Sequence, residues 1–211
     1  MTVLDSKLLF NMFEHAAENI QQNIELLNEL DGKTGDGDHG TTMLRVCHCI
    51  VDSLNREEQD WSKKVDNLGW EILSQDGGSA GMLVGNLFMG IGSGLVDDEL
   101  GPVGTAQAFK NGIDLVVKFS GAHQGDKTML DALIPAMQTM QEDAISGVAL
   151  EDMFEHAAVA ARQGAEATKE MVPKRGRAKN MGARAVGHID PGAVSMAILF
   201  ESFDEAIHQV H

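Results

Sequence analysis

Asp5-Ser6-Lys7-Leu8-Leu9-Phe10-Asn11-Met12-Phe13-Glu14-His15-Ala16-Ala17-Glu18-Asn19-Ile20-Gln21-Gln22-Asn23-Ile24-Glu25-Leu26-Leu27-Asn28-Glu29-Leu30 carries the period that runs through the chain. Leu8, Leu9, Met12, Phe13, Ala16, Ile20, Ile24 and Leu27 recur at helical spacing, which predicts an amphipathic helix over 5–30. Similar stretches follow near 41–56, 61–75, 79–95, 103–120, 128–145, 149–171 and 192–210, joined by short Gly, Asp or Pro segments. No run shows sustained period-two alternation, so no sheet is expected. Leu, Ala and Met dominate the apolar faces and favour helix. Pro102 suits a helix start, Pro191 closes a loop, and Pro135 inside an apolar helix predicts a kink. Eight helices with short links imply antiparallel neighbours, in a bundle or a closed helical barrel. At 211 residues the simplest organisation is one domain, 1–211, with a sizeable core. Met12-Phe13-Glu14-His15-Ala16-Ala17 recurs as Met153-Phe154-Glu155-His156-Ala157-Ala158, at a separation far beyond a solenoid period. Both copies read as similar amphipathic faces, with His15 and His156 at the surface or in packing.

The formal net charge is −16, which argues against nucleic acid and anionic membrane as partners. A metal, or a protein with a basic patch, fits better. Met1-Thr2-Val3-Leu4-Asp5 has neither a basic n-region nor an apolar h-region, so no signal peptide is expected. Cys47 and Cys49 sit two apart on an expected helix and point different ways, which makes a disulfide between them implausible and suits core packing in a reducing cytosol.

Between the first two expected helices lies Leu30-Asp31-Gly32-Lys33-Thr34-Gly35-Asp36-Gly37-Asp38-His39-Gly40-Thr41-Thr42, with three carboxylates at D-x4-D-x-D spacing among four glycines. Like charges this close must be solvated or neutralised. Carboxylates suit hard divalent cations such as Mg²⁺, which commonly share their shell with phosphate oxygens. Glycine lets backbone N–H groups approach an anion, and Thr41 and Thr42 open a helix whose N-terminus favours phosphate. The local reading is a Mg-phosphate site, set against a solvated acidic turn or a calcium loop. The EF-hand pattern is absent.

Asp76-Gly77-Gly78-Ser79-Ala80-Gly81 precedes a second glycine-bearing run through Gly85 and Gly90. A nucleotide lying on the backbone is one cause; close helix–helix packing is the reading for Gly85 and Gly90. The run is too short, too broken by glycine and too flanked by acids for a membrane helix. Ser120-Gly121-Ala122-His123-Gln124-Gly125-Asp126-Lys127-Thr128-Met129 ends in a cation and a hydroxyl; Lys127 is either a phosphate counter-charge or a solvated surface lysine. Lys174-Arg175-Gly176-Arg177-Ala178-Lys179 is a basic cluster in an acidic chain, for phosphate neutralisation or a solvated loop. It leads to Gly187-His188-Ile189-Asp190-Pro191-Gly192-Ala193, a rigid turn in which His188 and Asp190 bond a ligand or brace the turn.

Taken in order, four of these segments resemble the nucleotide-binding L subunit of dihydroxyacetone kinases, the DhaL or DAK2 domain family. They are Gly35 to Gly40, Asp76 to Gly81, Gly125 to Met129, and Gly176-Arg177-Ala178 with Gly187 to Ala193, and the resemblance spans nearly the whole chain. It implies a barrel of eight antiparallel helices with the nucleotide at one end. It implies that Asp31, Asp36 and Asp38 ligate two Mg²⁺ ions that hold the phosphates of ADP or ATP. His39, Gly40, Thr41 and Thr42 then line the phosphate site, Ser79 and Ala80 contact the nucleotide through the glycine-rich turn, and Gly121, Met129, Arg177 and Asp190 match further nucleotide-contacting positions. The implied chemistry is phosphoryl transfer by positioning and charge neutralisation, with Asp31, Asp36, Asp38 and Arg177 in the catalytic set. The ketose is held on a separate K subunit, so this chain resembles half a cytoplasmic enzyme.

The donor stays open. Gly37 and Thr41-Thr42 resemble ATP-using members, whereas His39 and the free-standing length resemble members fed by a phosphotransferase-system phosphoprotein, in which ADP remains bound. The expectation leans to the phosphoprotein. An ATP-dependent kinase of a four-carbon ketose and a nucleotide-sensing partner of a transcription regulator are the alternatives.

Overall fold

The computed structural model describes residues 2–209 and is helical almost throughout. Nine α-helices occur among the described residues: α1 (Ser6–Gln22), α2 (Ile24–Gly32), α3 (His39–Leu54), α4 (Trp61–Ser74), α5 (Gly78–Gly94), α6 (Pro102–Ser120), α7 (Leu130–Ser146), α8 (Leu150–Ala167) and α9 (Pro191–Gln209). The last residue of the final expected helix, Val210, lies outside the described residues.

The expected first helix is in fact two. Asn23 turns its side chain back and donates Nδ2 to the Asn19 carbonyl at 2.8 Å, while its own N–H bonds Ile20 O. A side-chain amide thus takes the acceptor that a continuing helix needs, and the chain bends there. The apolar period crosses the break because both helices bury the same side, at Ile20 and Leu27. α2 then runs past residue 30, which puts Asp31 on its last turn and not in the loop. As expected, the described residues form no sheet beyond one minimal pairing. A two-residue antiparallel ladder pairs Leu4–Asp5 (β1) with Glu99–Leu100 (β2). It fastens the start of the chain to the α5–α6 link, and Leu4 and Leu100 are buried there.

The helices pack in chain order. α3 lies on α4, α4 on α5, α5 on α6, α6 on α7, α7 on α8 and α8 on α9, and α1 closes against both α9 and α3. Inside, Phe13 of α1, Phe88 of α5, Phe109 of α6, Phe154 of α8 and Phe200 and Phe203 of α9 form one aromatic cluster. Phe13 meets Phe88 edge-on at 5.0 Å and Phe109 meets Phe154 edge-on at 5.5 Å, arrangements that suit ring quadrupoles. The near-repeat therefore supplies two core plugs, Phe13 and Phe154, with Met12 and Met153 also fully buried. His156 stays outside, bonded to Asp143 at 2.9 Å.

α5 is wedged between α4 and α6 with backbone against backbone. A Cβ on Gly69 would lie 2.6 Å from Gly85 O, and one on Gly90 would lie 2.5 Å from Asn111 O. Gly85 and Gly90 are packing glycines, as their place within a helix suggested. Pro135 leaves the Asp131 carbonyl without its helical N–H, because proline has none. α7 nevertheless continues past it to Ser146, and α8 presses Gly164 against that carbonyl.

Candidate nucleotide site

Asp31 organises the acidic turn. Its Oδ2 accepts the N–H groups of Gly37 at 2.9 Å, Asp38 at 2.9 Å and His39 at 3.3 Å. One carboxylate at the C-terminal end of α2 therefore caps the N-terminal end of α3, where negative charge is favoured. Gly37 takes φ +80°, the left-handed conformation this reversal requires. Gly35 N–H bonds Asp31 O at 2.5 Å, and a Cβ on Gly35 would run into the Asp31 carboxylate.

Around this turn Asp31, Asp36 and Asp38 each present a carboxylate oxygen, all within 4.8 Å of one another. Asp36 and Asp38 are exposed and Asp31 is half-buried. The Arg177 guanidinium forms an ion pair with Asp36, reaching in from the far end of the chain. Three converging hard anions with one cation already drawn to them are a donor set that fits Mg²⁺.

The turn borders a cavity of about 330 Å³. Asp31, Asp36, His39, Ser79, Ala80, Met129, Arg177 and Asp190 line it, so segments far apart in sequence come to one place. One wall is apolar, with Met82, Leu83, Phe119, Met129 and Leu130. The starts of four helices open on it: α3 at His39, α5 at Ser79, α7 at Leu130 and α9 at Pro191. The α5 start has no side-chain cap and no acid in its first turn. Its first N–H groups lack intrahelical partners and present a positive dipole to the cavity.

Five sequence candidates lie off the cavity wall. Asp38 belongs to the carboxylate cluster but does not line the cavity. Gly40 lets α3 approach α2, since a Cβ there would collide with Ile24 O. Thr41 bonds Asn28 through its N–H at 3.1 Å, and Thr42 is buried with its methyl toward Gly77 and Gly81. Gly121 ends α6 at φ +59° and accepts Arg175 at 2.7 Å.

Burial sets the protonation of the groups behind the wall. His39 is buried, with Nε2 2.9 Å from Ser195 Oγ, and desolvation lowers its pKa to about 4 against the opposing charge of Asp31. It is a neutral, braced imidazole. Asp190 caps α9 by accepting Ala193 N–H at 2.8 Å, and burial raises its pKa to about 7, with Asp131 and Asp31 adding to the rise and Lys127 opposing it. Asp131 accepts Gly125 N–H at 2.5 Å and Thr128 N–H at 2.7 Å, and its carboxyl is also pushed up by burial.

Residues 33–205 match the DAK2 domain family model. The chain belongs to this family. It is 31% identical over 186 residues to the ADP-binding subunit DhaL of PEP-dependent dihydroxyacetone kinase 1 from Listeria innocua serovar 6a, over 88% of each chain. To the ADP-binding subunit DhaL of PTS-dependent dihydroxyacetone kinase from Lactococcus lactis it is 33% identical over 191 residues, 90% of this chain and 92% of that one. The crystal structure of the dihydroxyacetone kinase from C. freundii in complex with AMP-PNP and Mg²⁺ superposes with a TM-score of 0.74 at 26% identity, over 97% of this chain and 35% of that one. The chain keeps all three turn carboxylates, Asp31 and Asp36 on the cavity wall and Asp38 beside them.

Sequence reasoning missed several wall residues. Met82, Leu83 and Phe119 carry ordinary helix apolarity and no motif marks them, although Phe119 is 53% exposed at the end of α6. Arg175 was visible only as part of a basic cluster. Lys127 was weighed as a phosphate counter-charge or a surface lysine; it is 2% exposed, which removes the second reading.

Proposed function

We propose that this chain is the ADP-binding subunit of a two-component dihydroxyacetone kinase, passing a phosphoryl group through a Mg-bound nucleotide to a ketose held on a separate K subunit. The observation that carries the reading is a cluster of three carboxylates, two of them on the wall of a cavity faced by four helix N-termini. The polar end suits phosphates and the apolar wall of Met82, Leu83 and Phe119 suits a planar base. The relatives from Listeria innocua and Lactococcus lactis are ADP-binding DhaL subunits, which supports a role as such a subunit. They also support a phosphotransferase-system phosphoprotein as donor, with ADP resident.

In this reading Asp31, Asp36 and Asp38 hold two Mg²⁺ ions. Mg²⁺ bound there supplies the charge that a diphosphate needs among carboxylates and orients its oxygens. Asp31 keeps the turn in register through its three N–H bonds. The α5 start, with Ser79 and Ala80, offers backbone N–H groups to phosphate. Arg177 is free to turn from Asp36 to a transferred phosphoryl group, where its planar donors neutralise developing charge. His39, Gly40, Thr41 and Thr42 shape the α3 end of the phosphate site, and Gly121, Met129 and Asp190 its far side. The packing order supports a closed barrel of eight helices, α1 and α3 to α9, forming a single domain with the nucleotide at one end. The N-termini of α3, α5, α7 and α9 at that end support antiparallel neighbours. Among the described residues no helix is long and apolar enough to cross a membrane, which fits a cytoplasmic subunit.

The test is reconstitution with the cognate K subunit, comparing ATP with the phosphorylated carrier protein. Turnover is expected with the phosphoprotein and catalytic ADP. Steady turnover on ATP alone would move the chain to the ATP-dependent branch, and dihydroxyacetone phosphorylation by the purified single chain would defeat the subunit reading.

A further inference from the structure

Lys127 has the one positive φ among the described non-glycine residues, at +61°. A side chain in that conformation carries local strain, which persists only where surrounding contacts enforce it. Here the contacts are specific. The buried ammonium donates to Thr168 O at 2.5 Å and to His188 O at 2.5 Å. Those two carbonyls stand at the two ends of the segment 168–188. The same base is closed by Gly187 N–H on Lys169 O at 2.8 Å and by Asp190 N–H on Thr168 Oγ1 at 2.9 Å. The neighbouring Asp126 adds a second tie, accepting Lys174 Nζ at 3.1 Å on its carboxylate and Lys174 N–H at 3.1 Å on its carbonyl.

Between these ties the chain forms a basic strap. It carries Lys169, Lys174, Arg175, Arg177, Lys179 and Arg184, six of the sixteen Lys and Arg residues. Its middle lies over the cavity, where Arg175, Gly176, Arg177 and Ala178 form part of the wall. Its structure is weak in itself: a 3-10 segment, Arg177–Ala185, interrupted at Gly182 with φ +55°. Such a segment holds position only by what anchors it, and little of it is buried.

We propose that Lys127 is a positioning residue that clamps both ends of this strap and so sets Arg177 over the acidic turn. Two of the three ammonium protons go to backbone carbonyls at the strap's base, which ties the side chain to the strap. Burial lowers the pKa of Lys127, and Asp190, Asp131 and Glu170 oppose that shift. The catalytic part of the inference rests on the proposed kinase reading, because Arg177 must face a transferred phosphoryl group for its position to matter.

Two experiments separate the clamp from the kinase reading. The first is limited trypsin digestion of the full chain, since the strap holds six tryptic sites. Lys127→Met should be cut within 169–184 at least ~10-fold faster than wild type while its helical circular dichroism is unchanged. Lys127→Gln, which keeps a donor but loses the charge, should fall between them and serves if the methionine variant does not fold. Wild-type cutting rates in a folded variant, or global loss of helix in both variants, would overturn the clamp. The second is kinetics in the reconstituted enzyme. Lys127→Met should lower kcat by ~10-fold or more with nucleotide KM within about 2-fold, and should cost nothing further in an Arg177→Ala background. Additive losses, or a loss confined to KM, would overturn the positioning role. If the wild-type reconstitution is inactive, the kinase reading fails and the digestion still decides the clamp.

Discussion

Gly85 and Gly90 of α5 and Gly35 and Gly37 of the acidic turn act in opposite ways. In α5, Gly85 and Gly90 remove side chains so that two rigid backbones can touch. In the turn, Gly35 and Gly37 remove side chains so that one carboxylate can gather backbone N–H groups. The neighbour of an α5 glycine is a helix that cannot yield. The neighbour of Gly35 is the end of a movable side chain. The first kind of glycine is therefore paid for in stability and the second in binding, and substitutions can tell them apart.

The largest effect is expected at the seam. Gly90→Ala places a methyl against the α6 backbone at Asn111 and Gly112, where neither partner can give. Overpacking of this kind costs about 3 kcal/mol, which for a chain of this length lowers Tm by roughly 6–12 °C. Thermal unfolding monitored by circular dichroism measures it. A Tm within about 2 °C of wild type would show that the helices can slide apart there.

Asp36→Asn reverses the pattern. It removes one of three carboxylates and the ion-pair partner of Arg177, both exposed, so the fold should keep its Tm. Mg-dependent ADP affinity should fall about 100-fold, near 2.7 kcal/mol, as calorimetry would show. ADP affinity that is the same in Mg²⁺ and in EDTA would remove the metal from the site altogether.

These two substitutions also show how much was legible in sequence. The helices outside the first were readable because their apolar residues repeat faithfully, and the acidic turn because its charges have no other reason to cluster. The break at Asn23 was not readable. It depends on one side-chain amide bonding the Asn19 carbonyl, and it leaves the apolar period undisturbed. The β1–β2 ladder is too short to show a period at all. For the cavity, the polar contributors stand in marked segments, whereas Phe119 and Met82 are distinguished only by where their helices end. Lys127 lay between two readings because sequence cannot show that Thr168 and His188 turn their carbonyls toward it.

Gly35→Ala tests the turn more gently. The new methyl meets the Asp31 carboxylate oxygen first, and the α2 backbone only at the Asp31 carbonyl, at 3.3 Å. ADP affinity in Mg²⁺ should weaken about 10-fold, near 1.4 kcal/mol, with Tm nearly unchanged. If stability falls as it does for Gly90→Ala while binding is spared, the distinction between the two kinds of glycine fails.

The smallest effect is one of pH, and it belongs to the cavity end, where Asp190 caps α9. Asp190 holds its proton up to about pH 7 in the fold, against an ordinary value of 3.8. A carboxyl whose pKa is raised by folding favours the folded state while protonated and opposes it once ionised. Its contribution therefore declines as pH rises from the ordinary value through 7. Between about pH 6 and 7.5 linkage gives a loss of roughly 1 kcal/mol. His156 and His208 are raised as well, by Asp143 and by the Asp204 carbonyl, and add their own pH dependence. The informative quantity is thus the difference between wild type and Asp190→Asn, measured in EDTA by denaturant unfolding at both pH values. Asparagine can still accept the Ala193 N–H that caps α9, so the variant isolates the charge. The variant should gain on wild type as pH rises. A difference that stays constant across the window would mean that Asp190 is already ionised at pH 6, with its carboxylate adding full negative charge to a cavity that must admit a diphosphate.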